Sequence, residues 1–128
     1  MSGRSLLRWL PAVVMMVIIY LFSSTPAHAL PFFGPLDLVV KKGGHALGYG
    51  LLGLAYYYAL PPRLRPGYRW ILALLMAVVF SLSDEYHQSF IEGRNPSLVD
   101  VLIDTGGAAL ALLLGAPYVS NSSSPSAS

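Results

Sequence analysis

The chain has 128 residues, of which 55% are hydrophobic and only 11% charged, with a formal net charge of +2. An ordinary soluble domain carries roughly 25% charged residues, so this balance, with a mean hydropathy of +0.59, points to an integral membrane protein. The small net charge and the lack of a basic run exclude a nucleic-acid partner, and the absence of cysteine excludes disulfides, thiol catalysis and thiolate-bound metal.

Residues 6–24 are apolar apart from Arg8 and approach the roughly 20 residues that a spanning helix needs. Pro11 lies near the start, where a missing N–H costs little. A rival reading starts from Arg4, Arg8, the short apolar core and the Ala27-His28-Ala29 triplet, which together resemble a cleavable signal peptide. Cleavage would leave three spans. Residues 25–40 hold three prolines, Gly34 and Asp37 and read as a loop with an interfacial Phe32-Phe33 contact. Lys41 and Lys42 open a second span, residues 43–60. In it Gly44 and Gly48 form a small-xxx-small pair expected to admit a neighbouring helix closely, and Tyr56, Tyr57 and Tyr58 are expected in an aromatic belt.

A basic turn leads to a third apolar run of about 14 residues, too short to cross the membrane core unaided. The third span, residues 69–88, therefore borrows the polar turn that holds Asp84 and His87. Gly93 and Pro96 break it. The fourth span, residues 97–116, takes Ser97 as N-cap and stops ahead of Pro117, leaving 118–128 as a disordered polar tail. The expected architecture is an all-α integral membrane four-helix bundle, with residues 1–117 as one domain. Four spans put Arg4, Arg8, Arg63, Arg65 and Arg69 on one side, against Lys41, Lys42 and Arg94 on the other. The positive-inside rule then predicts cytoplasmic N- and C-termini. All six carboxylates and all three histidines fall on the outer side.

Residues 83–107 hold five of the six carboxylates. Ionisable groups set a turn or two inside membrane helices are costly and point to function. Helical spacing puts Asp84 on a face with His87 and Gln88, Asp100 with Asp104, and Lys41 with His45 and Tyr49. Asp104 lies roughly 10 Å along the axis from the fourth helix's start, where a carboxylate needs a partner, a proton or water. Each residue taken singly has a structural explanation: the helix dipole for Asp100, packing for His45, snorkelling for Lys41 and Lys42. Sharing one membrane face, Asp84, His87, Arg94, Asp100, Asp104 and His45 predict a polar pocket. Spacing leaves Glu85 unassigned, and Glu92 reads as a loop charge.

Imidazole and carboxylate ligands would suit a divalent metal, but no H-E-x-x-H pair is present. Ser83 and Ser89 lack the surroundings of a nucleophile elbow. Arg94, Lys41 and Lys42 offer an anion-binding rim suited to phosphate or carboxylate head groups, the role that asks least of the sequence. The expectation is a binding protein for an anionic lipid or envelope-precursor head group, with no cofactor. The alternative is a membrane enzyme acting on a lipid-linked substrate, with His87 or His45 as general base or metal ligand and Asp84 or Asp100 as its orienter or second ligand. A proton pathway through Asp84, His87 and Asp104 lacks a polar relay in the inner halves of the last two helices.

A pattern runs from Ile18 to Leu114. Phe22-Ser23-Ser24-x-Pro26 follows the first span, and Lys42-x-x-His45-x-x-x-Tyr49 opens the second. Asp84-Glu85-x-His87-Gln88-x-Phe90, Gly93-Arg94 and Ser97-Leu98-x-Asp100-Val101-x-x-Asp104-x-x-Gly107 complete it. In this the chain resembles the VanZ-like family of small bacterial membrane proteins. Glu92 stands where that family often has proline, and Asp104 where it often has asparagine. The resemblance implies a multi-pass protein of the bacterial cytoplasmic membrane, a retained first span, and a site that includes Lys42, His45, Tyr49, Asp84, Glu85, His87, Gln88, Arg94, Asp100 and Asp104. The family is named for an accessory protein in teicoplanin resistance, which implies a link to the cell envelope and to glycopeptides and leaves the molecular activity open.

Overall fold

The computed structural model describes residues 3–25, 32–91, 93 and 97–123. Glu92, Arg94, Pro96 and the Ala27-His28-Ala29 triplet lie outside these. The described residues form helices and no strand: α1 Gly3–Leu7, α2 Leu10–Ser24, α3 Asp37–Ala59, α4 Pro66–Gln88 and α5 Leu98–Ser123. The chain is an all-α helical bundle.

Prolines and glycines set most of the boundaries. The expected first helix extends back to Gly3 but is broken at Arg8 and Trp9, because Pro11 cannot donate to the Leu7 carbonyl and its ring crowds that group. Bonds from Arg8 N to Arg4 O and from Val13 N to Trp9 O carry the chain across the break. The expected loop at 25–40 ends early: a 3-10 turn at Gly34–Leu36 leads into α3, whose first residue is Asp37. That carboxylate favours the positive end of the helix dipole and accepts from Phe33 N at 3.2 Å. At the other end Pro61 holds Leu60 extended, ψ 147°. Pro66 opens α4 in the position that needs no N–H. Ser97 caps α5 weakly, its Oγ 3.4 Å from Asp100 N. The expected stop before Pro117 does not occur; α5 runs through Pro117 to Ser123, so much of the expected tail is helical.

Helices α3 and α5 run parallel and form the closest pair; α4 packs antiparallel to both, and α2 lies against α3 and α4. Small residues allow the α3–α5 approach. A Cβ added to Gly50 would lie 3.0 Å from Ala111 Cβ, and one on Gly53 3.3 Å from Ala108 Cβ. The expected pair, Gly44 and Gly48, plays no part in this: an added Cβ meets nothing within 4 Å at Gly44 and only Ile19 Cγ1, at 4.0 Å, at Gly48. The core between the helices is Tyr49, Leu52, Tyr56, Tyr57, Ala73, Ala77, Ala108 and Leu112. Tyr56 and Tyr57 are thus buried rather than belted at an interface, because two arginines take up the end of α3. Arg69, buried on α4, donates from Nε to Tyr57 O at 2.7 Å and from Nη2 to Tyr58 O at 3.3 Å. Arg8 donates to Tyr58 O and stacks on the Tyr58 ring. The carbonyls that α3 leaves without helical donors are capped in this way.

Among the described residues three helical segments, Gly3–Ser24, Pro66–Gln88 and Leu98–Val119, are long and apolar enough to cross a membrane. Large apolar side chains such as Val17, Leu75, Leu102 and Leu113 cover their outer faces. The expected second span, residues 43–60, lies in α3, which is equally long at 23 residues but too polar and glycine-rich to qualify by composition. Packed against α2, α4 and α5, it turns polar groups onto protein and leaves Leu47 and Leu51 exposed.

Candidate functional site

One end of the bundle gathers the polar side chains, and α3 is its hub. Lys42 pairs with Asp100 across the α3–α5 contact. One turn deeper His45 Nδ1–H donates to Asp104 Oδ1 at 3.1 Å, and Ser81 of α4 donates to the other oxygen of Asp104 at 2.8 Å. Asp104 is fully buried, so the carboxylate whose depth in the helix demands a partner has two. Because Asp104 accepts from Nδ1–H, His45 keeps Nε2 for whatever lies in front of it.

A second chain of bonds joins α3, α4 and α2. Tyr49 Oη–H donates to Asp84 Oδ2 at 3.0 Å, and Ser23 is also hydrogen-bonded to Asp84. Gln88 Nε2 donates to Ser23 Oγ at 3.2 Å. Asp84, Gln88 and Ser23 are all buried. His87, half-buried, stacks on Tyr20 at 4.7 Å between ring centroids, and its Nε2 lies 2.9 Å from Ser24 Oγ. Ser24 gives its own proton to Tyr20 O, so His87 Nε2–H is the donor in that pair. Glu85 accepts from Ser97 N at 3.0 Å and thereby ties α4 to the start of α5. That is the structural assignment that spacing could not supply. Its other oxygen is buried without a partner among the described residues.

Of the faces expected from helical spacing, Asp100 with Asp104 and Lys41 with His45 and Tyr49 are present; Asp84 joins Gln88 through Ser23, while His87, expected with them, turns to Tyr20 and Ser24. Neither lysine of the expected cationic rim stands free. Lys41 pairs with Asp37 at 3.0 Å and Lys42 with Asp100, because each has a carboxylate within reach. Arg94 lies outside the described residues. Ser23, Ser24, Ser81 and Tyr20 join the site without having been expected there. Ser81 precedes Asp84 by three residues and so shares its helix face, a spacing that points to it inside an otherwise apolar run.

A cavity of about 420 Å³ opens between α2 and α3. Met15, Ile18, Ile19 and Phe22 form its α2 wall, with Phe33 and Val40 near the top. Its polar lining is Ser23, Lys41, His45 and Tyr49, and Gly44 and Gly48 complete the α3 side. Among the described residues no carboxylate lines it. Asp37, Asp100 and Asp104 stand beside or behind the lysines and the histidine. Among the described residues no group of three His, Asp or Glu side chains could hold a metal ion.

The search of curated proteins and that of solved structures gave no match. The family model VanZ/LLP1 matches residues 8–116, a stretch that contains α2, α3, α4, the first part of α5 and every residue of the polar cluster. The chain therefore belongs to the VanZ/LLP1 family.

Proposed function

We propose that the chain binds the anionic head group of a membrane amphiphile, a lipid or a lipid-linked envelope precursor, at the polar end of the cavity. The observation that carries this reading is the composition of the lining. Among the described residues, the side chains lining the cavity that can carry charge at neutral pH are Lys41 and His45, and both are donors to an anion when charged. Lys42, next to Lys41 in the chain, is paired with Asp100. Asp104 orients His45, Asp100 positions Lys42, and Asp84, Tyr49, Ser23 and Gln88 hold the three helices in register around them. The Lys41–Asp37 pair is partly exposed, and such pairs contribute about 0–1 kcal/mol, so a phosphate can displace Asp37. In this reading the polar end faces outward, as the five arginines at the opposite end support, and the first span is retained because Ser23 and Ser24 belong to the site. A bearing on glycopeptide resistance would follow from the same ligand class. Native mass spectrometry of the full chain tests the proposal. Wild type should retain an anionic lipid that Lys41→Gln and His45→Ala lose; retention of none by any form would sink it.

One observation favours a second reading, acid/base catalysis on a lipid-linked substrate. Asp104, itself fixed by Ser81, holds His45 by Nδ1 in the arrangement that orients a general base. Turnover of lipid phosphates by wild type and its loss in His45→Gln, with lipid retention intact, would separate this reading from simple binding.

A further inference from the structure

We infer that the cavity between α2 and α3 is a hydrocarbon-chain site: it takes one chain of an amphiphile whose phosphate sits at Lys41 and His45. The inference rests on the head-group reading above and adds the part of the ligand that reading leaves open.

The glycines carry it. Where the bundle needs close contact, as at Gly50, Gly53 and Gly107, an added Cβ would press on α5 or α3. Gly44 and Gly48 do the reverse, since a Cβ would enter open space at the first and barely touch Ile19 at the second. Their missing side chains make room that the helices do not use. Protein interiors leave few voids larger than a water molecule, and a site of about 420 Å³ lies at the small end of the roughly 300–1,000 Å³ of ligand pockets. That suits a single chain rather than the body of a two-chain lipid.

Polarity gives the orientation. Lys41 and His45 stand at one end, and Met15, Ile18, Ile19 and Phe22 line the wall that leads away from them. From Lys41 to Tyr49 the cavity follows eight residues of α3, about 12 Å at 1.5 Å per residue. Half of a hydrocarbon core is about 15 Å, so a chain lying along α3 keeps its head at the bilayer surface. A chain already in lipid gains no hydrophobic energy on entry. Selectivity must therefore come from the phosphate contacts and from the fit of the chain into the space left by the two glycines.

The test uses full-length protein in phosphatidylcholine nanodiscs, titrated with hexadecyl phosphate and with farnesyl phosphate and read by native mass spectrometry. Wild type should bind at least one, and the tighter of the two identifies the chain as acyl-like or prenyl-like. Gly44→Leu and Gly48→Leu, placed in open space and so expected to fold, should weaken binding by about tenfold or more, the effect of overfilling a packed site. Circular dichroism confirms that each variant retains its helices; with two variants, loss of one fold leaves the other as the test. If wild type binds neither probe, the head-group reading falls and this inference with it. If wild type binds and Lys41→Gln weakens binding, but both glycine variants stay within about twofold of wild type, the chain site alone is overturned.

Discussion

Gly107→Ala adds one methyl group where α5 crosses α3. Its Cβ would lie 2.8 Å from both the carbonyl carbon and the Cα of Ala46, against roughly 3.5–4.0 Å for a favourable carbon contact. The obstructing atoms are main chain and cannot rotate away, so the helices must part by about 1 Å. Overpacking of this kind costs about 1–3 kcal/mol. The crossing lies directly below the Lys42–Asp100 and His45–Asp104 pairs, and parting the helices stretches both, which places the expected loss toward the upper end of that range. Gly106 is the internal control. An added Cβ there meets nothing within 4 Å, and alanine in a helix is favoured over glycine by about 0.5–1 kcal/mol. That gain shrinks in a micelle where separated helices stay helical. Thermal unfolding of both variants in one detergent, followed by circular dichroism and by the fluorescence of Trp9 and Trp70, should show Gly107→Ala melting well below wild type and Gly106→Ala at or above it. A Gly107→Ala protein as stable as wild type would refute the close crossing.

Asp104→Ala strands the His45 Nδ1–H and the Ser81 hydroxyl in a buried place. At about 1–3 kcal/mol for each unsatisfied group, it should lower the unfolding midpoint clearly, with Asp104→Asn, which keeps one acceptor, in between. Arg69→Leu removes two donors from the end of α3 and is expected to cost about 2–4 kcal/mol on the same scale. Lysine at that position, lacking the fork, should recover only part of it. A double-mutant cycle on Lys42 and Asp100, whose side chains are 37% and 13% exposed, should give a coupling below about 1 kcal/mol that fades in high salt.

Much of the bundle is legible in the sequence because the signals are local. Leu60 and Ser97 mark helix ends as expected, whereas α4 starts at Pro66, three residues ahead of the expected 69. The face groupings Lys41/His45/Tyr49 and Asp100/Asp104 follow from 3.6-residue periodicity alone. What fails depends on partners distant in sequence. Gly44 and Gly48 have the spacing of a packing motif, yet whether a glycine pair admits a helix or leaves a hole is decided by the helix opposite, here Ile19 of α2. Tyr56 and Tyr57 look interfacial until Arg8, at the break between α1 and α2, and Arg69 of α4 cap the end of α3. Lys41 and Lys42 read as a free rim because Asp37 falls in a proline-rich stretch with the composition of a loop, and Asp100 is 58 residues away from Lys42 in sequence. Pro117 has the position of a stop, yet α5 passes through it, and the structure gives no local reason for that.

By count, the charge at the polar end opposes an anionic ligand, since the described residues there include two lysines and five carboxylates, Asp37, Asp84, Glu85, Asp100 and Asp104. Placement matters more than the count. Coulomb energy falls with distance and with the dielectric of what lies between, and the cavity meets Lys41 and His45 first. The carboxylates beside and behind them act differently from one another. Asp37 competes for Lys41, whereas Asp104 orients His45 through Nδ1. These roles predict opposite signs. Asp37→Asn frees Lys41 from a partly exposed pair worth about 0–1 kcal/mol, so binding of hexadecyl phosphate should tighten by up to about fivefold. Asp104→Asn deprives His45 of its charged partner and should weaken the same binding. Affinity moving in one direction for both variants would show that net charge, and not the layering of acids behind bases, governs the site.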